Sequence, residues 1–365
     1  MSGLIKLEGD NRTIGMELGR YWGNYFSALT ITRRHEKGGG NRYHKRISQQ
    51  YGGWLKQARN DLDKIRAKVQ KALPDLWEEI VGFHEGLCTS RFDCRTTPTL
   101  GGLFSCIVAE ADESACSTVI LSTEDGYTMV HSDEYDDTVP LVVADVVLHG
   151  MEGEKRFISI SHPFQLLGSA AGLNGSFAVQ GNSIGCISKF RKLAKENLPK
   201  TVLSRKMLEK TSPQEAAHLY EQHPCSLPNH HLFITNEAVY SLKARLRQSA
   251  GERNKITLDV VDLGVGETFC HTNHFQDEDT KESPWVYEDS EEESPERLDA
   301  LKEAVKGVRT PLELEDAFLN FLRWYPKQLN RKRLLDMVSG LFSFHVGRTG
   351  FPYLRNFTSS YGWRL

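Results

Sequence analysis

The residues equipped for chemistry fall into four short stretches. Ser114-Ala115-Cys116 opens the apolar run Cys116–Leu121, behind the acidic loop Glu110-Ala111-Asp112-Glu113. His131-Ser132-Asp133-Glu134-Tyr135-Asp136 closes the next apolar run, and a glycine- and asparagine-punctuated stretch from Gly172 ends at Asn182. Cys270-His271-Thr272-Asn273-His274-Phe275 ends a later strand. A cysteine at the start of a strand usually serves as a small buried hydrophobe. Cys116 differs in its company of carboxylates, imidazoles and carboxamides. The last string also invites a metal reading, because Cys270, His271 and His274 could be ligands, with His230-His231 joining by folding. No second pair at zinc-like spacing accompanies it, so neither a metal nor a cofactor is expected, and the histidines are read as structural neighbours of Asn273.

Elements of two kinds must position these residues. The first 115 residues read as mainly helical: Leu55, Ala58, Leu62, Ile65 and Val69 form an apolar stripe at helical spacing. Pro74 then interrupts, and a second helix covers Leu76–Leu87. From Cys116 the texture turns to short β-rich runs. Cys116–Leu121 and Tyr127–His131 flank Glu124-Asp125-Gly126, a hairpin signal. Further strands are expected at 141–148, 157–160, 176–180, 232–234, 239–242, 256–261 and 266–270. Ser212-Pro213-Gln214-Glu215 is a capping box with proline at the first helical position, and 296–308, 311–324 and 331–341 carry helical spacing. Sheets in the middle with helices at both ends predict a layered sandwich.

Composition narrows the functional classes. The chain has 365 residues with a net charge of −3, and no apolar run approaches the ~20 residues of a membrane helix. The seven cysteines form no C-x-x-C pair, and the N-terminus lacks a signal-peptide core, so reduced thiols in a cytoplasm are expected. Residues 33–68 carry eleven Lys/Arg against three acids, while 277–297 carry ten acids against two bases. Much of the basic stretch lies on an amphipathic helix, where charge covers the solvated face, so nucleic-acid binding is not inferred. Gly38-Gly39-Gly40 lacks the Lys-Ser/Thr of a phosphate-binding loop and reads as a flexible connection.

In order and spacing, the four stretches resemble the isopenicillin N acyltransferase-like (acyl-CoA:6-aminopenicillanic acid acyltransferase) branch of the N-terminal nucleophile (Ntn) hydrolases. That family shows a helical pro-segment, a Cys-Thr/Ser strand, a hairpin ending in an Asn-x-Asp-like motif, and a Gly-x-Asn-x-x-Gly-like run closing in Asn. Here Cys116 to Asp133 is seventeen residues, Gly172–Asn182 matches the run, and the His-Thr-Asn-His-Phe string is intact at 271–275. The resemblance extends from about Asn11 to Arg355.

The resemblance implies an α+β, four-layer αββα sandwich, with 1–115 as helical pro-segment and 116–365 as catalytic domain, packed as one globular unit. It implies autocleavage between Ala115 and Cys116, leaving two noncovalently bound chains with Cys116 at a new N-terminus. A thiol needs a base, and a free α-amine can supply one only once it is released from its peptide bond. The thiolate would then open the C–N bond of a small linear N-acyl amide through a Cys116 thioester, resolved by water (an amidase) or by an amine (an acyltransferase, with acyl-CoA as a further co-substrate). In line with the family pattern, Asn182 with Asn273 beside it would stabilise the oxyanion and Asp133 would hold the amine. Gly350-Phe351-Pro352-Tyr353-Leu354-Arg355 resembles the family's arginine segment, making Arg355 the candidate and Arg348 the alternate.

Three features depart from the pattern. Ala115 stands where glycine is usual, His131 replaces the asparagine of Asn-x-Asp, and the chain stops ten residues after Arg355. They keep a second reading open, a catalytically silent, unprocessed Ntn-fold protein that binds a small amide or a partner.

Overall fold

The computed structural model describes residues 4–34, 59–90, 99–108, 115–134, 141–184, 197–245, 254–276, 293–325, 338–350 and 352–359. Its frame is two sheets. The hairpin signal at 124–126 produces strands β2 (Ala115–Thr123) and β3 (Gly126–Glu134), joined by the two-residue turn Glu124-Asp125. Gly126 has φ +141°, and a Cβ there would lie 2.1 Å from the Val346 carbonyl oxygen, so only glycine closes this turn. Placing the turn sets the register, which puts Cys116 directly opposite Asp133 and Thr118 opposite His131. β11 (Thr268–His271), β12 (Val338–Gly347) and β13 (Tyr353–Ser359) complete a five-stranded sheet in the order β11-β2-β3-β12-β13.

The larger sheet has the order β1-β4-β5-β6-β7-β8-β9-β10. Its strands are β1 (Ile5–Gly9), β4 (Val142–Gly150), β5 (Gly153–Ser161), β6 (Ala171–Asn174), β7 (Ala178–Ser183), β8 (Asn229–Ile234), β9 (Val239–Arg245) and β10 (Lys255–Val261). All pairings are antiparallel except β1 with β4. The described part of the first 115 residues is mainly helical, as expected, and its opening strand forms one edge of this sheet.

Eight helices are described: α1 (Asn11–Arg34), α2 (Arg59–Ala72), α3 (Pro74–Thr89), α4 (Leu100–Val108), α5 (Lys200–Met207), α6 (Pro213–Gln222), α7 (Glu293–Ala304) and α8 (Pro311–Trp324). Two helix starts carry side-chain caps, the first at a position read from sequence. The Ser212 side chain accepts from the Glu215 N–H to open α6, and Thr310 with Glu313 forms a reciprocal capping box on α8. No described helix is long and apolar enough to cross a membrane.

Apolar side chains gather in three clusters. The first joins α1 to α6 to one face of the eight-stranded sheet, through Leu18, Ile80, Phe83, Phe104 and Leu203 against Ala144, Val146 and Phe233. The second lies between the sheets, where Ile120, Met129, Phe342 and Phe344 meet Val143, Ile160, Ala178 and Leu232. The third packs α7 and α8, through Leu301, Leu314 and Phe318, onto Val119, Leu121 and Val130. The alternation along β2 sorts these partners: odd positions from Val119 meet the helices, and even positions from Cys116 meet the other sheet.

α1 and α3 approach so closely that a Cβ on Gly15 would lie 2.0 Å from the Glu79 carbonyl oxygen and one on Gly82 2.1 Å from that of Arg12. Beside this crossing Glu79, fully buried, takes hydrogen bonds from Arg205 of α5 at 3.0 and 3.1 Å, and Arg205 reaches Glu209 at 3.0 Å.

The helical spacing read over 331–341 does not hold at its end, since 338–341 belong to β12. Val338 and Leu341 sit at helical spacing, but the exposed edge of β3 recruits the segment, and from Phe342 the alternation Phe342, Phe344, Val346 supplies the inward face of a strand. Strands β6, β12 and β13 and helix α5 are not among the elements read from sequence. Leu55, Ala58, the triple glycine, the loop 110–114, Tyr135 and Asp136 lie outside the described residues.

Candidate active site

Period-two alternation brings the site together. Cys116 and Thr118 of β2 and His131 and Asp133 of β3 share the face that meets the larger sheet, where Gln180 and Asn182 of β7 and His230 of β8 project toward them. The inter-sheet layer is apolar along most of its length and polar at this end. Cys116, Asp133, Asn182 and Asn273 are all buried.

Cys116 is gripped through its backbone. Its N–H donates to Asn273 Oδ1 at 2.8 Å, and its carbonyl oxygen accepts from Asn182 Nδ2 at 3.4 Å and Arg297 Nη1 at 3.3 Å. Arg297 Nη2 also donates to Asn273 Oδ1 at 2.7 Å. Asn273 gives one amide N–H to the Ser183 carbonyl at 2.8 Å, and its own backbone N–H donates to Ser294 Oγ at 2.9 Å. Ser294, near the start of α7, carries the segment 271–275 on a side-chain hook and bonds His274 Nδ1 at 2.8 Å.

Asp133, across the ladder from Cys116, pairs with His162 Nε2 at 2.8 Å. Burial works to raise this carboxyl, yet His162, with His131 and Lys200 farther off, holds it below the ordinary aspartate value. Lys200, first residue of α5, reaches Ser183 Oγ at 2.8 Å. Burial pushes the His131 imidazole down to about 4, so it is neutral at pH 7.

The other histidines of the sequence reading go to different partners. His230 Nδ1 and His271 Nε2 share a short hydrogen bond, and His230 Nε2 bonds Ser241 Oγ at 2.6 Å. His231 points to the opposite face of the sheet and bonds the Tyr220 hydroxyl at 2.8 Å. Burial depresses both His230 and His271 well below the usual imidazole range. Among the described residues no group of three or more His, Cys, Asp or Glu could hold a metal ion.

Arg355 stands apart. It lies on β13, three strands from β2, about 14 Å across the sheet, and ion-pairs with Glu315 of α8 at 2.8 Å. The Arg348 side chain reaches the Thr123 carbonyl. The guanidinium that touches Cys116 is Arg297, which sequence reasoning missed. A signal was present: Ser294-Pro295-Glu296-Arg297 starts a helical pattern, and an arginine so near a helix N-terminus opposes the helix dipole unless another group holds it.

The model of the family described as acyl-coenzyme A:6-aminopenicillanic acid acyl-transferase matches residues 112–333, more than half of the chain. The chain belongs to this family. Membership points to an Ntn-type acyltransferase or hydrolase, in a family whose substrates are acyl or amide compounds. The matched region holds Cys116, Asp133, Asn182, Asn273 and Arg297, and leaves out Arg355. A search of curated proteins returned no match.

Proposed function

We propose that the protein is a self-processing cysteine Ntn enzyme that opens or transfers the acyl group of a small linear amide. One observation carries the reading: the N–H of Cys116 is held by an asparagine oxygen that an arginine also clamps, an unusual investment of buried polar groups in one backbone nitrogen. That nitrogen becomes the α-amine after cleavage. The three apolar clusters support the four-layer αββα arrangement expected of such enzymes.

In processing, Cys116 Sγ adds to the Ala115 carbonyl carbon and the bond to the Cys116 nitrogen breaks. A thioester and a free amine result, and water hydrolyses the thioester. In catalysis the amine takes the thiol proton and the thiolate attacks the substrate carbonyl. Asn182 Nδ2 supplies a fixed donor to the oxyanion. Asn273 Oδ1 holds the amine, while its Nδ2, one of whose hydrogens goes to the Ser183 carbonyl, keeps a second donor for the oxyanion. Asp133 balances the positive charge near Cys116, and the arginine's part belongs to Arg297. The departing amine carries away the proton, and water or a second amine resolves the acyl-enzyme.

A second reading rests on one observation. The Ala115–Cys116 peptide lies at the start of β2, with Ala115 laddered to Glu134, so the bond to be cut is held in a regular strand pairing. With alanine in place of glycine, this favours a silent, unprocessed binding protein. Intact mass of freshly purified wild type beside Cys116→Ala separates the two. Wild type split into 1–115 and 116–365 with the variant whole supports the enzyme; both whole across pH and time overturns it.

A further inference from the structure

The Cys116 carbonyl oxygen can only accept hydrogen bonds, and that sets a direction through four side chains. Asn182 must present its Nδ2 to this oxygen, at 3.4 Å, so its Oδ1 faces away. Gln180 Nε2 at 2.8 Å and Thr118 Oγ1 at 3.2 Å both approach that Oδ1, so both donate. A hydroxyl has one proton, and Thr118 has spent it. His131 Nδ1, 2.8 Å from Thr118 Oγ1, is therefore the donor in that contact. His131, Thr118 and Asn182 are each no more than 1 % exposed, and the imidazole lies against the Phe342 ring with centroids 5.0 Å apart.

We propose that His131 is a positioning residue for Asn182: its Nδ1–H, relayed through the Thr118 hydroxyl, fixes which end of the Asn182 amide faces Cys116. This rests on the reading of Asn182 as an oxyanion donor. Without the imidazole proton, Thr118 can turn its hydroxyl back toward position 131. Asn182 then loses one of the two donors that hold its oxygen away from Cys116, and a lone pair can replace the N–H on the side that faces the nucleophile. A side chain at 131 must accordingly donate, which histidine and asparagine both do, while an apolar ring of similar size does not.

Two experiments test this. In protein labelled with ¹⁵N-histidine, the resonance lost in His131→Asn identifies His131. The expected signature is protonated Nδ1 and bare Nε2 from pH 8 to pH 5.5; an Nε2–H tautomer overturns the proposal. On the processed protein, acylation is read as the burst of 4-nitrophenolate from 4-nitrophenyl acetate, with Cys116→Ala as blank. Thr118→Val and His131→Phe should slow the burst about 100-fold with little change in half-saturating ester, the loss expected for one oxyanion donor. His131→Asn should recover most of what His131→Phe loses, and Thr118→Ser most of what Thr118→Val loses. Wild-type rates in Thr118→Val overturn the relay. If wild type itself gives no Cys116-dependent burst, the enzymatic reading fails, and the tautomer alone decides the direction of the chain.

Discussion

Arg297 Nη2 lies 2.7 Å from Asn273 Oδ1, the same oxygen that receives the Cys116 N–H at 2.8 Å. One carboxamide oxygen thus joins a permanent cation to the nitrogen proposed as the catalytic base. A cation so close disfavours the ammonium form of that nitrogen.

Replacing Arg297 by Gln removes that cation while keeping a polar side chain. The midpoint of the rising pH–rate profile should move to higher pH, since an ammonium without a cationic neighbour holds its proton longer. The 4-nitrophenyl acetate burst measured from pH 6 to 9.5 reads this. An unchanged midpoint would show that Arg297 does not act on the base.

Acid should unfold the protein early. Burial holds the folded His131 and His274 at about 4 and His231 at about 3, against 6.5 for an ordinary imidazole. Between pH 6.5 and about 4 the unfolded chain binds these protons and the folded one does not, so stability falls as pH falls through that window. Each such group costs about 1.4 kcal/mol per pH unit. Asp133 works in the same sense lower down, its contribution being present above pH ~4 and lost as pH falls through its depressed folded value. Urea unfolding at pH 7, 5.5 and 4.5 should show the fall, and His274→Asn, which removes one titrating imidazole, should flatten it.

Glu79→Ala leaves the buried Arg205 guanidinium short of its principal partner and should cost ~3–5 kcal/mol. Glu79 and Arg205 stand on opposite sides of the proposed cleavage point, so the variant should also loosen the hold between the two pieces. Glu79→Leu with Arg205→Met, which removes both charges, should be milder than either single change. Thermal unfolding of the three variants, with size exclusion of the processed forms, checks both statements.

Gly82→Ala places a methyl group where the Arg12 carbonyl already sits, and α1 must move away from α3. A loss of ~1–3 kcal/mol is expected, as for an overpacked core. Gly101→Ala serves as control, since a Cβ there meets only the Thr99 hydroxyl at 4.0 Å. Equal melting temperatures for the two variants would refute the close crossing.

Much of this molecule could be read before it was folded. The hairpin signal at Glu124-Asp125-Gly126 places Cys116 opposite Asp133 by counting alone, because strand register follows from turn position. The cap at Ser212 is a local device whose partner lies three residues away. Asn182 and Asn273 stand out as the polar ends of strand-like runs, although their contacts with Cys116 span 66 and 157 residues. Tertiary structure decided the rest. An arginine's long side chain finds its partner wherever its element packs, so the choice of Arg297 over Arg355 waited on α7 docking against the smaller sheet. The same holds for 338–341, whose helical spacing yielded to the open edge of β3. Amide directions and imidazole tautomers depend on whole chains of partners, so the order His131–Thr118–Asn182 emerged only once three strands from two sheets faced one another.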